Sequence, residues 1–351
     1  MQLVLKKGLI GKEGLPLAHL QIDNLAEYAD IVFGGWDLFG DDLAKAAEEH
    51  DVLTHKQFVA VEAELRSIKP WCAAGNIEFL ANIDGENQFA QETSHRETIE
   101  KIKIDLQAFK KTCDETVVIN LASTEKLAAE GNEIFNSIAD FEKALDDNAR
   151  EISPAMLYAY AAISENVPYG NFTPSVSADI PALIEFAEEK GVPIAGKDGK
   201  TGQTMIKSVL APAFKTRALK VEGWYSTNIL GNRDGLALSD ADSLASKVKT
   251  KSSLLEDILG YAVEDHIVDI RFYRPRGDNK EAWDNIDLTG FLGQPMQLKV
   301  NFLCKDSILA APLAIEIARC LDLAKRRNEK GVLEEVGVFF KFPMTDRKSV
   351  V

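Results

Sequence analysis

Histidine is scarce in this 351-residue chain, at five residues: His19, His50, His55, His95 and His266. None stands in a motif with a serine, a cysteine or another histidine. That pattern leaves hydrolase triads and HExxH metal chemistry without support. Cysteine is scarce too. Cys72, Cys113, Cys304 and Cys320 are widely spaced with no CxxC pair, so neither a zinc site nor a disulfide framework is expected. Positive charge is also short. Forty Lys and Arg face 55 Asp and Glu, a net charge of -15, which argues against a general nucleic-acid binder. A small anionic substrate would need a local basic pocket against that field. There is no apolar run of 18 residues and no signal peptide, so no membrane partner is expected and a cytoplasmic location is. Acid–base work in such a chain falls to lysine and aspartate.

What is present is an alternation of strand and helix signals. "YADIVFGGWD" (28–37) reads as a buried strand ending in glycines and an aspartate. "ETVVINLAST" (115–124) reads as another, after an amphipathic helix. "SPAMLYAYAAISEN" (153–166) has a serine N-cap before a proline at the first helical position. "DIPALIEFAEEKG" (179–191) predicts a helix ending on Gly191, and "VPIAG" (192–196) a strand. This order implies a parallel sheet covered by helices. After residue 203 the pattern changes to a helix, four strand candidates and one long helix over 306–328. The expected fold class is α/β, a dinucleotide-type domain with an inserted α+β sheet domain.

The stretch "GVPIAGKDGKTGQT" (191–204) is close to a phosphate-binding P-loop and fails by one residue in either register. With Gly191 and Gly196-Lys197, Asp198 replaces the magnesium-binding hydroxyl. With Gly199-Lys200-Thr201, Ile194 stands where the first glycine belongs. Thr201-Gly202-Gln203-Thr204 still opens a helix with free N–H groups, an anion site in outline. In "NILGNRDG" (228–235), Asn232, Arg233 and Asp234 follow a strand and read as a turn or as polar groups at a cleft. In "SKVKTKS" (246–252), Lys247, Lys249 and Lys251 alternate; they form a solvated face or, in an extended segment, a row of ammonium groups. Asp278 and Lys280 are read as lying in a turn, and Asp306-Ser307 as capping the long helix. Lys341 in "FFKFPM" is the most conspicuous single residue, because lysine is seldom buried in an apolar stretch.

These segments in this order resemble the inositol-3-phosphate synthase family. "FGGWD", "VPYGNFTPS", "AGKDGKTGQTMIKSVLAP", "NILGNRDG", "SKVKTKS", "GDNKEAWD", "DSILAAPL" and "FFKFPM" carry the resemblance over residues 33–344, and "NRDG" is of a bacterial type. The resemblance implies a tightly held, recycled NAD and conversion of glucose 6-phosphate to inositol 3-phosphate. The steps are oxidation at C5, enolisation at C6, aldol closure onto C1 and reduction at C5. It implies that Lys247, Lys280 and Lys341 carry oxyanion and proton-transfer roles, with Asp198 and Asp234. Thr201, Gly202, Gln203, Asn232 and Lys251 would bind the substrate phosphate. Asp37, Ala122, Ser123, Thr124, Asp198, Arg233, Asp234, Asp278 and Asp306 would hold the dinucleotide, and a cation near the phosphate is a further option. It implies a homotetramer built through the inserted domain.

The expected domains are 1–203, incomplete at its start, an insertion over 204–305, and a return over 306–345. Residues 346–351 are expected to be a processing artefact. The family's opening strand and glycine-rich loop have no counterpart here, so weak NAD binding by a truncated chain is expected. An oxidoreductase that stops after one hydride transfer, and an inactive fragment, are the competing readings.

Overall fold

A computed structural model describes residues 2–9, 11, 12, 15–20, 22–80, 83–90, 93–126, 131–237 and 255–345, without the side chains of Asp234 and Ala237. The chain begins with α1 (Gln2–Lys6), β1 (Trp36–Asp37), α2 (Leu43–Glu49), α3 (His55–Ser67), β2 (Trp71–Cys72) and α4 (His95–Phe109). It continues with β3 (Val118–Asn120), α5 (Ile138–Asp146), α6 (Pro154–Ser164), β4 (Tyr169–Asn171), α7 (Pro181–Lys190) and β5 (Pro193–Gly196). Next come α8 (Gln203–Thr216), β6 (Lys220–Leu230), α9 (Arg233–Ala237), β7 (Asp265–Phe272), β8 (Asn279–Thr289) and β9 (Pro295–Lys305). Then come α10 (Asp306–Arg326), β10 (Gly331–Val332) and a 3-10 helix over Glu334–Phe339.

Strands β10-β5-β4-β3 form one parallel sheet, and β1-β2 a separate parallel pair. The crossovers between parallel strands are helical, as that pairing requires. α6 is apolar nearly all round and is buried on almost every face, so it runs through the core rather than along the surface. α7 stops where Gly191 takes the left-handed conformation at φ 67°, which only glycine adopts cheaply. Ile102, Phe141, Met156, Ile163, Leu183 and Ile194 from these elements share one core. α10 returns the chain to the same sheet, packing Ile317 and Leu321 against Ala195 and Phe340.

The second sheet is mixed, in the order β7-β6-β8-β9, with β6 and β7 parallel and the other pairs antiparallel. β6 and β7 are consecutive and parallel, so a crossover connection lies between Leu230 and Asp265. α8 covers the inner face, where Ala211 and Phe214 meet Val221, Trp224, Ile286 and Leu288. Side chains alternate along β8, with Lys280, Ala282, Asp284 and Ile286 buried and Trp283 and Asp287 exposed.

Several local expectations are corrected. Residues 28–37 are not a buried strand: Tyr28–Asp30 is a 3-10 turn, only Trp36–Asp37 pairs, and Val32 and Phe33 are exposed. An apolar run becomes a strand only where a neighbouring strand accepts its hydrogen bonds. Ser153 occupies the N-cap of α6 without a side-chain cap bond; the Glu125 carboxylate accepts from the Ala155 N–H instead, at 3.0 Å. Residues 233–237 form the short α9 rather than a turn. Lys280 lies inside β8, not in a turn. Asp306 is the first residue of α10, not its cap, and Lys305 stands at the cap position without a side-chain cap bond. The helix ends at Arg326, two residues short of expectation.

Candidate active site

The segment after β5 pairs with the chain's late apolar stretch. Lys197 N donates to Phe342 O at 2.9 Å, Lys341 N to Asp198 O at 2.7 Å and Lys200 N to Phe339 O at 2.7 Å. This backbone pairing sets Lys341 beside Asp198, with Nζ 2.6 Å from Oδ1 and side chains 7% and 4% exposed. A lysine in an apolar stretch is therefore buried because a carboxylate is buried with it. Lys197 makes a neighbouring pair with Asp179, also at 2.6 Å. Burial lowers the Lys200 amine below its ordinary range.

Three residues after Lys200, α8 begins. Its cap residue, Gly202, has no side chain to offer, so the first-turn N–H groups point outward without intrahelical acceptors. A Cβ on Gly202 would stand 3.5 Å from Phe302 and 3.8 Å from Leu309, so this turn lies against β9 and the start of α10. Thr201 is buried beside it. The Gln203 side chain turns away, into the sheet, where it meets Asp284 and Asn228.

A second lysine–carboxylate pair forms where β6, β8 and α10 meet. Strand register sets Lys280 opposite Leu230 and Cys304. Its Nζ lies 3.1 Å from Asp306 Oδ1, at 9% side-chain exposure. Asp278 accepts from Ser307 Oγ at 2.5 Å and, at a long 3.4 Å, from Asn232 Nδ2. Asn232, Asp278, Lys280 and Asp306 thus lie in one cluster, although the resemblance had divided them among phosphate, catalytic and dinucleotide roles.

On the other side lies a cavity of about 460 Å³ between β1 and β3. Asp37, Ala122, Ser123 and Arg233 line it, with Glu125 at the start of α6. Asp37 Oδ1 accepts from Phe39 N at 2.9 Å, and Ala122 N donates to Asn120 Oδ1 at 3.1 Å, which fixes both turns. Arg233 reaches across from α9, its guanidinium 3.5 Å from the centre of the Phe39 ring and 3.7 Å from Glu49. Thr124 is buried and is not on the cavity wall. Lys247, Lys249 and Lys251 lie outside the described residues, and the Asp234 side chain is undescribed.

Sequence reasoning missed Glu125, which is 3% exposed and whose Oε2 has no partner among the described residues. Burial pushes its carboxyl up to about 7, against the pull of its hydrogen bonds. The only signal was an acidic residue directly after the 122–124 segment. Missed as well were Asp179, Lys207 and Asp284, whose partners are remote in sequence.

The profile of an NAD-binding family described as myo-inositol-1-phosphate synthase matches residues 14–351. The chain belongs to that family. It is 45% identical over 332 residues to inositol-3-phosphate synthase 1 of Bacteroides thetaiotaomicron, covering 92% of this chain and 77% of that protein. It is 30% identical to the inositol-3-phosphate synthase of Saccharomyces cerevisiae, over 89% of this chain and 63% of that one. The chain spans less than two thirds of the length of that yeast protein and of its Dictyostelium discoideum counterpart. Its fold matches the crystal structure of the Caenorhabditis elegans inositol-3-phosphate synthase with a TM-score of 0.86 at 26% identity, over 93% of this chain and 68% of that one. NAD is the cofactor of a synthase family of this kind, and the cavity suits it chemically. Asp37 offers a carboxylate for ribose hydroxyls, Arg233 a cation for phosphate, and Ser123 a hydroxyl. Among the described residues no group of three or more His, Cys, Asp or Glu could hold a metal ion, and no helix is long and apolar enough to cross a membrane.

Proposed function

We propose that this chain isomerises glucose 6-phosphate to inositol 3-phosphate with NAD held in the cavity beside Asp37, Ser123 and Arg233. The observation that carries the reading is the presence of two buried ammonium groups, each held by a carboxylate: Lys341 on Asp198 and Lys280 on Asp306. Bound NAD supplies a hydride acceptor at the sugar's C5 and returns the hydride at the end. Thr201, Gly202 and the open N–H groups of α8 receive the phosphate, with the backbone rather than the side chain of Gln203 contributing. Lys280 and Lys341 stabilise the oxyanions that develop at O5 and O1 in a site shielded from water. One of them also takes the C6 proton, after passing its own proton to its paired aspartate so that a neutral amine is the base. Each is oriented by its aspartate, so the ammonium group does not have to reorganise as charge develops. Asn232 and Asp278 close the phosphate side, and Lys247, Lys251 and Asp234 complete the set by resemblance. Asp278 and Asp306 are engaged by Asn232, Ser307 and Lys280, and we propose no cation there.

The same reading takes residues 204–305 as a domain inserted into the α/β domain. It makes its outer sheet face the surface of a homotetramer. Tyr225, Ile267, Trp283 and Leu303 lie exposed on that face, an apolar set that association would cover. Four separate free cysteines agree with a cytoplasmic location. The test is production of inositol phosphate from glucose 6-phosphate with added NAD. Product without net NADH supports the isomerase. Accumulating NADH would replace it with a simple oxidoreductase, and no turnover at any NAD concentration would withdraw it.

A further inference from the structure

The inner face of the mixed sheet carries buried polar groups where an apolar floor would serve. Asp284, on β8, is 3% exposed. Its Oδ1 accepts from Ser226 Oγ at 2.6 Å, Trp224 Nε1 at 2.7 Å and Gln203 Nε2 at 3.1 Å. The Gln203 amide is held from its other side as well, because Asn228 Nδ2 donates to its Oε1 at 2.7 Å. Gln203 is the first residue of α8, so both ends of its amide tie the opening turn of that helix to β6 and β8. One turn later Lys207, 1% exposed, faces the same floor, with Nζ 2.7 Å from His266 Nε2 and over the Trp224 ring.

Such a set is not the most stable choice. Asp284 Oδ2 and Asn228 Oδ1 have no partner among the described residues. Buried charged groups of this kind are often replaced by apolar ones of the same shape without loss of stability. Further along α8, Ala211 and Phe214 make an ordinary apolar contact with the same sheet. Among the described residues, the side-chain hydrogen bonds from α8 to the sheet come from Gln203 and Lys207, toward the end that bears the open N–H groups. Directional bonds fix orientation, which apolar packing does less well.

We propose that Asp284 is a positioning residue, which acts through Gln203 to hold the first turn of α8 in the orientation that receives the substrate's phosphate. This rests on the phosphate role proposed above for that turn. Asp284 itself touches no substrate in this scheme.

The experiment uses the full chain and compares Asp284→Leu, Asp284→Asn and Gln203→Met with the unaltered protein. KM and kcat for glucose 6-phosphate are measured with saturating NAD. Amide hydrogen exchange over residues 202–206 is followed with and without inorganic phosphate. Asp284→Leu should raise KM about tenfold, with a much smaller change in kcat, and should speed exchange at 202–206, as expected from losing a charge-assisted hydrogen bond. Asp284→Asn keeps an acceptor oxygen and should restore both readouts to within about threefold. Gln203→Met should reproduce the leucine variant, and it decides the matter if that variant does not fold. A folded Asp284→Leu or Gln203→Met protein with unaltered KM and unaltered exchange would overturn the inference. So would an asparagine variant as impaired as the leucine one. If the unaltered chain makes no inositol phosphate while exchange at 202–206 still responds to these substitutions, the functional reading fails and the positioning role stands.

Discussion

The two sheets of this molecule bury their polar groups differently. Under the parallel sheet the core is apolar, and a buried acid without a cation partner among the described residues, Glu125, serves a helix end at a cavity wall. Under the mixed sheet the floor is partly polar, and its conspicuous buried base, Lys207, sits among His266, Trp224 and Asp284. Burial pushes the Glu125 carboxyl up to about 7 and the Lys207 amine down to about 8. Both shifts favour the neutral form, for the same reason, in opposite directions of charge. The difference shows where each region must be rigid. The parallel sheet is fixed by packing, and the mixed sheet, at the helix end that faces the site, by hydrogen bonds.

The largest effect expected is catalytic. Lys280→Met removes an ammonium group from the mixed-sheet side and should lower kcat about 10²–10³-fold, as loss of one oxyanion-stabilising donor does, read by steady-state kinetics. Stability should change little, because Asp306 keeps some solvent contact. Lys341→Met sharpens the contrast. It removes the buried partner seen at 2.6 Å from Asp198, so turnover should fall and unfolding in urea should show a loss of up to about 3–5 kcal/mol.

The pH behaviour separates the two regions. Glu125 holds its proton in the native state between about 4.5 and 7 while the unfolded chain has lost it, so its contribution to stability falls as pH rises through that window. Glu125→Gln should flatten that fall, worth at most about 3 kcal/mol. Lys207 behaves in reverse. Between about 8 and 10.5 the unfolded chain holds the extra proton, so stability rises with pH there, and Lys207→Met should abolish the rise. Denaturant titrations at pH 5, 7, 8 and 10 would check both, and matching slopes in variants and parent would break the comparison. The smallest effect is expected at the bridge between the regions. Arg233→Ala removes the half-exposed guanidinium offered to the cofactor's phosphate and should weaken NAD binding about two- to fivefold by calorimetry, the size of a solvent-screened ion pair.

Much of this was legible in the sequence. The N1 proline of α6, the glycine that ends α7 and the strand alternation of β6 to β9 are local patterns, and local patterns survive folding. Lys341 announced itself by standing in an apolar stretch. Its partner did not, because Asp198 is 143 residues away. Gln203 was legible as part of a helix start, but its amide is engaged by Asp284, 81 residues on. Residues 28–37 misled for a related reason, since an apolar run does not say whether a partner strand exists. Periodicity reports which face is covered and is silent on what covers it.

Glu316 in α10 binds the beginning of the chain. Tyr28 Oη donates to it at 2.5 Å across 288 residues, and Leu17 N at 3.2 Å across 299, while Arg319 holds Ala26 O. During synthesis these early residues have no dock until α10 has left the ribosome. At about 5–20 residues per second that is a wait of roughly 15–60 s. Over that interval the Tyr28 region should stay open to protease on stalled nascent chains, and it should close once residues beyond Arg326 emerge. The segment that holds Leu17 and Tyr28 is therefore made well before its dock and settles late.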